Sequence, residues 1–353
     1  MPATIDQERL EAFLHHAIGD FGGAMQTALG VIGEKLGLYK AMGDGAPVTP
    51  EELAQKTGTR ERYVREWLAS QAAGGYVRYD AASGRFHLDP EQCFALTDPD
   101  GLDMCGAFQL ILSVMRDEPK LAEIFRTGNG FGWHEHDPAL FLGTERFFKP
   151  TYAMNLVSEW IPALDGVEAK LRSGAQAADV GCGHGSSTIM MAKAFPQSKF
   201  VGFDYHEPSI ATARQRAAGN GTNGNLRFEV ATAKTFPGSN YDFIAFFDCL
   251  HDMGDPVGAA RHVREALRPD GTWMIVEPLA DDRLENNLNP IGRVFFGAST
   301  LVCTPVSLSQ EVGLGLGAQA GQERLTRVLK EAGFSRVRRA AETPFNMILE
   351  ARP

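Results

Sequence analysis

Two hydrophobic rhythms divide the chain. Between residues 10 and 42, apolar positions return every third or fourth residue: Leu10, Phe13, Leu14, Ala17 and Ile18, then Ala28, Val31, Ile32 and Leu36. That spacing is one face of an α-helix. Glycines at 22, 23, 30, 33 and 37 would weaken such a helix in isolation, so tertiary packing or close helix–helix contact is expected to hold it. Thr49-Pro50-Glu51-Glu52 is a helix start, with Thr49 as N-cap and Pro50 in the first turn. That helix is expected to end at Gly58, and a second to run from about Arg60 to Ala73, where Gly74-Gly75 stop it. "YVRYD" and "RFHLD" then pair as a hairpin around Ala81–Gly84. Helix, turn, helix and a two-stranded wing predict a winged helix. "DMCGAFQLILSVM" and "EPKLAEIFRTG" predict two more helices, followed by the irregular "GNGFGWHEHDPALF", of the kind that walls or lids a pocket.

From Ala177 the rhythm changes. The apolar runs "AADV" (177–180), "KFVGF" (199–203), "LRFEV" (226–230), "DFIAFF" (242–247) and "TWMIV" (272–276) alternate with helical stretches from Ser186, Pro208 and Pro256. Near-continuous apolar strands separated by helices imply a parallel sheet covered on both faces. The final "SRVRRAAETPFNMILEARP" reads as two strands joined at Thr343-Pro344, with the last antiparallel to the rest. The expectation is an α/β fold: a Rossmann-like seven-stranded sheet with a mainly helical N-terminal winged-helix domain. Its divisions are residues 1–95 for the winged helix, 96–150 for a helical linker and lid, and 151–353 for the sheet domain.

Charge narrows the partners. With 34 basic and 44 acidic side chains the net charge is −10, which disfavours whole-protein attraction to nucleic acid or a membrane surface. The five cysteines, Cys93, Cys105, Cys182, Cys249 and Cys303, are widely spread with no C-x-x-C pair. This argues against a disulfide framework or structural zinc and fits a reducing cytoplasm. "MPATIDQERLEAF" lacks the pattern of a signal peptide, and the apolar "MCGAFQLILSVM" (104–115) is too short to span a bilayer. A cytoplasmic protein with no membrane partner is expected.

The chemistry gathers at strand ends. "ADVGCGHGSS" (178–187) follows the first strand of the sheet and opens a helix, and its glycines allow a tight turn and close approach of a ligand. Nineteen residues past Gly185, the next strand ends in Asp204, whose carboxylate can take both hydroxyls of a ribose. Gly181, Asp204, Thr232, Asp248 and Glu277 all follow carboxyl ends of predicted strands, the edge where open α/β sheets bind ligands. The glycines at 181, 183 and 185 depart from the G-x-G-x-x-G of dinucleotide folds, which disfavours a nicotinamide-dependent oxidoreductase.

At this point the chain resembles the class I S-adenosylmethionine-dependent methyltransferases, whose first motif is an acidic residue followed by x-G-x-G-x-G; here Asp179 is the acid. The resemblance covers about residues 150–353. It implies S-adenosylmethionine as cofactor and S-adenosylhomocysteine as product. Gly181, Cys182 and Gly183 would then face the methionine portion, Asp204 the ribose, Tyr205 the adenine face, and Thr232-Ala233 the adenine amino group. Many members carry Asp where this chain has Thr232. For Asp179 two readings stand, ligand contact or a brace for the loop; for Asp248 they are the cofactor's amino group or a strand-end cap.

Joined to a winged helix, this domain is similar to small-molecule O-methyltransferases, in which the N-terminal module dimerises and closes part of the substrate pocket. Those enzymes carry H-D-W-x-D after the fourth strand, with the histidine as base. His251-Asp252-Met253-Gly254-Asp255 matches except at Met253. A closer likeness is to bacterial winged-helix methyltransferases of mostly unassigned substrate, which share segments like "FDYH", "NPIGRVFFGASTLVCTP" and "FNMILEARP". The resemblance implies a small-molecule methyl acceptor and a homodimer.

His251 suits general-base work because its reference pKa, about 6.5, is near neutrality; capping the helix near Pro256 is the other reading. Asp252 and Glu277 are the candidates to orient it. "WHEHD" (133–137) invites a metal reading, but two histidines alternating on a strand give too few ligands. No metal is expected, and Trp133, His134 and His136 are assigned to a substrate lid. Phe295, Phe296 and Cys303 are assigned to the acceptor pocket, with ordinary core residues as the alternative. Arg60, Arg62, Arg65, Arg78 and Arg85 could touch phosphates, but Glu61 and Glu66 dilute that face. A cofactor-sensing transcriptional regulator is therefore the second reading of function, and nucleic acid is not an expected partner.

Overall fold

The structure, a computed structural model, describes residues 5–219 and 224–353, so the first four residues of the leading stretch lie outside it. The chain divides into one unit of Met1–Met115 and Ala139–Pro150, and a second of Arg116–Pro138 and Thr151–Pro353. Within the stretch 96–150, residues 96–115 and 139–150 fall in the first unit and 116–138 in the second. Each part is tied by its own bonds: Arg146 pairs with Asp103 and Glu34 at 2.5 Å in the first unit. In the second, the Phe131 amide donates to the Pro305 carbonyl at 2.9 Å.

The first unit opens with α1 (Gln7–Lys35), whose N-cap Asp6 accepts from the Arg9 amide. Two of its glycines are contact points. A Cβ at Gly30 would lie 2.3 Å from the Phe108 ring, and one at Gly33 would lie 2.4 Å from Trp67. The helix sacrifices propensity there to let two aromatic rings in. Next, α2 (Pro50–Thr57) starts with a full Thr49–Glu52 capping box and stops at the left-handed Gly58, φ 66°. Then come α3 (Glu61–Ala73) and the antiparallel pair β1 (Arg78–Asp80) and β2 (Arg85–His87). Their core holds Leu38, Tyr39, Met42, Leu53, Val64, Trp67, Leu68 and Phe86. Inside it the Tyr39 hydroxyl donates to Gln71 at 2.6 Å and Gln71 donates to Gln26 at 2.8 Å, a buried polar triad with no sequence signature. Helices α4 (Pro90–Leu96) and α5 (Met104–Met115) follow, and residues 139–150 complete the unit.

The second unit begins at α6 (Glu118–Thr127); α7 (Ala139–Asn155) carries the chain across the division, and α8 (Val167–Ser173) precedes the sheet. The sheet contains β3 (Gln176–Val180), β4 (Lys199–Asp204), β5 (Leu226–Val230), β6 (Tyr241–Phe247) and β7 (Leu267–Pro278), with α9 (Ser186–Ala194), α10 (Glu207–Gly219) and α11 (Pro256–Ala266) between them. After α12 (Pro290–Ala298), α13 (Thr304–Leu308) and α14 (Gly321–Glu331) come β8 (Arg336–Glu342) and β9 (Asn346–Arg352). The order is β5-β4-β3-β6-β7-β9-β8, with β9 antiparallel to both neighbours. Strand order reverses between β3 and β6, so the crevice at their carboxyl ends is the topological switch point. Phe203, Phe246, Ile275, Trp273, Leu325 and Leu349 are among the buried side chains that cement sheet and helices.

The run Pro290–Leu308 is helical throughout, with a π turn at Ser299–Cys303. At 19 residues it is apolar and long enough to cross a membrane by length and composition, and it exceeds the 104–115 stretch singled out above. Its Phe295, Val302, Cys303 and Val306 are buried in the unit, as in a core helix.

Candidate active site

The glycine loop leaves β3 with positive φ at Gly181 (77°), Gly183 (51°) and Gly185 (82°), backbone that side chains disfavour. A Cβ at Gly181 would meet Cys249 Sγ at 2.7 Å, so the loop after β3 and the turn after β6 touch. Gly183 faces open space, with nothing within 4 Å of a built Cβ. This is an uncovered backbone cradle at the switch point.

Three carboxyl groups surround it. Asp179 is fully buried, and its Oδ2 accepts from the Ser187 and Thr188 hydroxyls at 2.7 Å each. It braces the first turn of α9; burial pushes its pKa up to about 6, against those two bonds. Asp204 accepts the Gly183 amide at 2.9 Å on one oxygen and the His206 amide at 2.9 Å on the other. A carboxylate has about four acceptor sites, so two remain for a vicinal diol. Burial also raises its pKa. Tyr205 beside it is half exposed, and Thr232 is exposed with its hydroxyl paired to Thr235 at 2.8 Å. Ala233 packs against the core. Backbone cradle, diol acceptor and exposed ring together fit a nucleoside cofactor.

Asp248, ending β6, sits at φ 48°. Its two oxygens accept from the Tyr152 hydroxyl at 2.6 Å and the Asn346 amide at 2.8 Å. Burial pushes its pKa up to about 7, with Glu277 adding to the rise. The sequence reading missed both partners. Asn346 had a signal, a polar residue opening the terminal strand opposite Pro278; Tyr152 had none.

Beyond Asp248 a short helical turn, Leu250–Asp252, carries His251 inward, 4 % exposed. Its Nδ1 lies 2.6 Å from Glu277 Oε2, while Glu277 Oε1 accepts the Leu250 amide at 3.0 Å. Glu277 thus fixes both the ring and the backbone that bears it. The other ring nitrogen, Nε2, is 3.2 Å from Asp252 Oδ1, and that oxygen has no hydrogen bond. Burial works to lower the His251 pKa, but Glu277 and Asp252 outweigh it and hold the imidazole well above its ordinary range. Cys303, 52 residues along and ending the π turn, lies in the same cluster. Burial pushes its thiol up to about 12.

The lid residues separate. Trp133–Glu135 forms one 3-10 turn, closed by Glu135 accepting the Gly132 amide at 2.6 Å, so the two histidines do not share a strand face. His134 is exposed, whereas His136 is buried with Nδ1 3.0 Å from Asp117 and Phe131 edge-on at 4.3 Å. Burial lowers the His136 pKa, opposed by Asp117. Phe295 is buried and Phe296 half-buried on α12.

Comparison with known proteins speaks to the domains and the fold. Residues 171–333 match the family described as methyltransferase domain, and residues 24–98 match the Rv2258c-like winged HTH domain. The chain is 28% identical over 172 residues to 27-O-demethylrifamycin SV methyltransferase of Amycolatopsis mediterranei, covering 46% of this chain and 55% of that protein. It is 31% identical over 114 residues to trans-aconitate 2-methyltransferase of Deinococcus radiodurans, covering 32% and 42%. The chain thus spans about half the length of the curated relatives it matches, or less. Among solved structures, the mitomycin 7-O-methyltransferase MmcR has a TM-score of 0.72 at 19% identity, covering 98% of this chain and 100% of that one. Human N-acetylserotonin methyltransferase, solved in complex with SAM, has a TM-score of 0.71 at 16% identity, covering 100% and 99%. The chain carries a methyltransferase domain behind a winged helix-turn-helix domain, and its fold is that of these enzymes.

Proposed function

We propose that this methyltransferase domain binds S-adenosylmethionine across the carboxyl ends of β3, β4 and β6 and methylates a small-molecule acceptor, at oxygen first, with His251 as general base. The observation that carries the reading is the Glu277–His251 pair beside the glycine cradle. Gly181, Cys182 and Gly183 would hold the methionine portion, Asp204 the ribose, Tyr205 one face of the adenine, and Thr232-Ala233 its amino end. Asp179 serves by bracing the loop, and Asp248, held by Tyr152 and Asn346, would take the cofactor's amino group. When bound, the cofactor supplies a methyl group already activated on a sulfonium. Three carboxyls raised by burial favour such a cation, since a nearby positive charge stabilises their ionised form.

The remaining work falls to the chain. With Nδ1–H donated to Glu277, the bare nitrogen of neutral His251 is Nε2, which can accept the acceptor's hydroxyl proton. The imidazolium that results is stabilised by Glu277 and Asp252. Phe295, Phe296 and Cys303, with Trp133, His134 and His136, are proposed to shape the acceptor site and exclude water. Calorimetric titration tests the cofactor: micromolar S-adenosylhomocysteine binding with no NAD binding is expected, and the reverse sinks the proposal.

A homodimer through the N-terminal domain is part of this reading. On α1, Leu14, Ile18, Phe21 and Met25 recur at three-to-four spacing and are 48–69% exposed along one helical stripe, an apolar row of the kind that marks an interaction surface. Light scattering should give twice the chain mass, and Ile18→Glu with Phe21→Glu should give the monomer. The regulator reading is weakened by the arginines themselves. Arg62 pairs with Glu66 (2.5 Å), Arg65 with Glu61 (2.5 Å), Arg78 with Asp89 (2.5 Å) and Arg85 with Glu52 (2.8 Å). Phosphates would have to displace four carboxylates, so mobility shift against genomic fragments should show none. The five unpaired cysteines support a reducing, cytoplasmic setting.

A further inference from the structure

We propose that His251, Asp252 and Cys303 form a binding site for a thiophilic divalent cation of the zinc class. Their ligand atoms, an imidazole nitrogen, a carboxylate oxygen and a sulfur, all lie within 4.8 Å of one another. Tetrahedral zinc, with bonds of about 2.0–2.3 Å, places its ligands roughly 3.3–3.8 Å apart. The His251 Nε2–Asp252 Oδ1 separation is already 3.2 Å. Closure therefore needs only a small side-chain movement of Cys303. A mixed N, O, S set selects zinc over magnesium or calcium, which prefer all-oxygen shells.

Three further observations point to a cation. Asp252 Oδ1 is a buried oxygen with no hydrogen bond, held only at an ion-pair distance of 3.2 Å from Nε2, with the Cys303 thiol beside the same carboxyl. Buried acceptors left unmade are costly, and a cation would satisfy this one. Second, Glu277 grips Nδ1 at 2.6 Å, leaving Nε2 as the outward nitrogen. A carboxylate behind a histidine is the usual second partner of a metal-bound imidazole. Third, Cys303 closes the π turn of the 290–308 helical run. Such turns displace side chains from α register and recur at functional positions. No short motif could reveal this set, because its members come from the turn after β6 and a helix about fifty residues later.

Binding is balanced by protons. One metal–sulfur, one metal–nitrogen and one metal–oxygen bond form as the hydrated cation sheds all but one of its waters to solvent, and the Cys303 thiol proton and any proton on Nε2 leave to solvent with them. The fourth position stays with water. Because the metal occupies the Nε2 lone pair, it should inhibit turnover until a chelator removes it. That consequence rests on the methyl-transfer reading, whereas the binding itself does not.

The test is cobalt(II) titration of the full chain freed of metal by chelator. One equivalent should produce visible d–d bands and a near-ultraviolet thiolate-to-cobalt charge-transfer band. Cys303→Ser should abolish the charge-transfer band while Cys249→Ser keeps it, and Glu277→Gln should weaken affinity by roughly tenfold or more. Absence of the band in the unmodified chain, or its survival in Cys303→Ser, overturns the site. Should Cys303→Ser not fold, X-ray absorption of the zinc-loaded natural chain decides: one sulfur with nitrogen and oxygen neighbours supports it, and an all-oxygen shell refutes it. Inhibition failing while the spectrum holds would count against the methyl-transfer reading alone.

Discussion

His251 lies between two carboxylates, and they do different things. Glu277 meets Nδ1 at 2.6 Å and holds a backbone amide as well, so it sets the ring's direction; Asp252 faces Nε2 and sets its charge. His251→Gln should lower kcat by about 10²–10⁴ with cofactor affinity unchanged, read by steady-state rates beside calorimetry. The two anions hold the imidazole's proton above its ordinary range, so the rate should climb with pH through a midpoint higher than that of an ordinary imidazole. In Glu277→Gln one anion is gone, and that midpoint should move to lower pH while kcat falls. A role in folding alone would leave the midpoint in place. At Asp248 the left-handed backbone, φ 48°, admits Asn almost as readily as Asp. Asp248→Asn should fold and should weaken binding of the cationic cofactor more than of its neutral thioether product.

Among elements, the glycines of α1 divide by what stands opposite them. A methyl at Gly30 would enter the Phe108 ring at 2.3 Å, whereas Gly22 has nothing within 4 Å. Gly30→Ala should destabilise by about 1–3 kcal/mol through overpacking. Gly22→Ala should stabilise by roughly 0.5–1 kcal/mol through helix propensity. Urea denaturation of the two variants separates them by sign. This helix also marks how far the sequence could be read. Its existence followed from period, and the starts and stops at Thr49, Pro50 and Gly58 followed from local chemistry, so these elements match within a few residues. The sheet strands were legible because parallel strands are apolar without interruption. Strand β7 begins at Leu267, earlier than the apolar run from Thr272, because Leu267 pairs with Tyr241 across an irregular register. The π turn at Ser299–Cys303, the Tyr152–Asp248 bond and the burial of His136 against Asp117 rest on partners distant in the chain, which no local pattern encodes.

For the whole molecule the carboxyls of the site are a stability cost at neutral pH. Asp179 and Asp248 are held at about 6 and about 7, above the 3.8 of a free carboxyl. The folded state therefore binds protons that the unfolded chain has released, and stability falls as pH rises from about 4 to about 7. For Asp179 the loss is about 3 kcal/mol. Thermal unfolding of the ligand-free protein should show Tm decreasing across that window, with a shallower decrease in Asp248→Asn, and saturating cofactor should restore it. The sheet carries one more consequence. Strand β9 follows β8 in the chain yet lies inside it, between β7 and β8. During synthesis the hydrogen-bonding edge of β7 thus stays open until residues 346–352 leave the ribosome, and so does the place of Asn346 against Asp248. Nascent chains stalled before β9 should be protease-sensitive, and those released after it resistant. An open edge of this kind recruits other strands, so this protein is most vulnerable to aggregation in the moments before its site can exist.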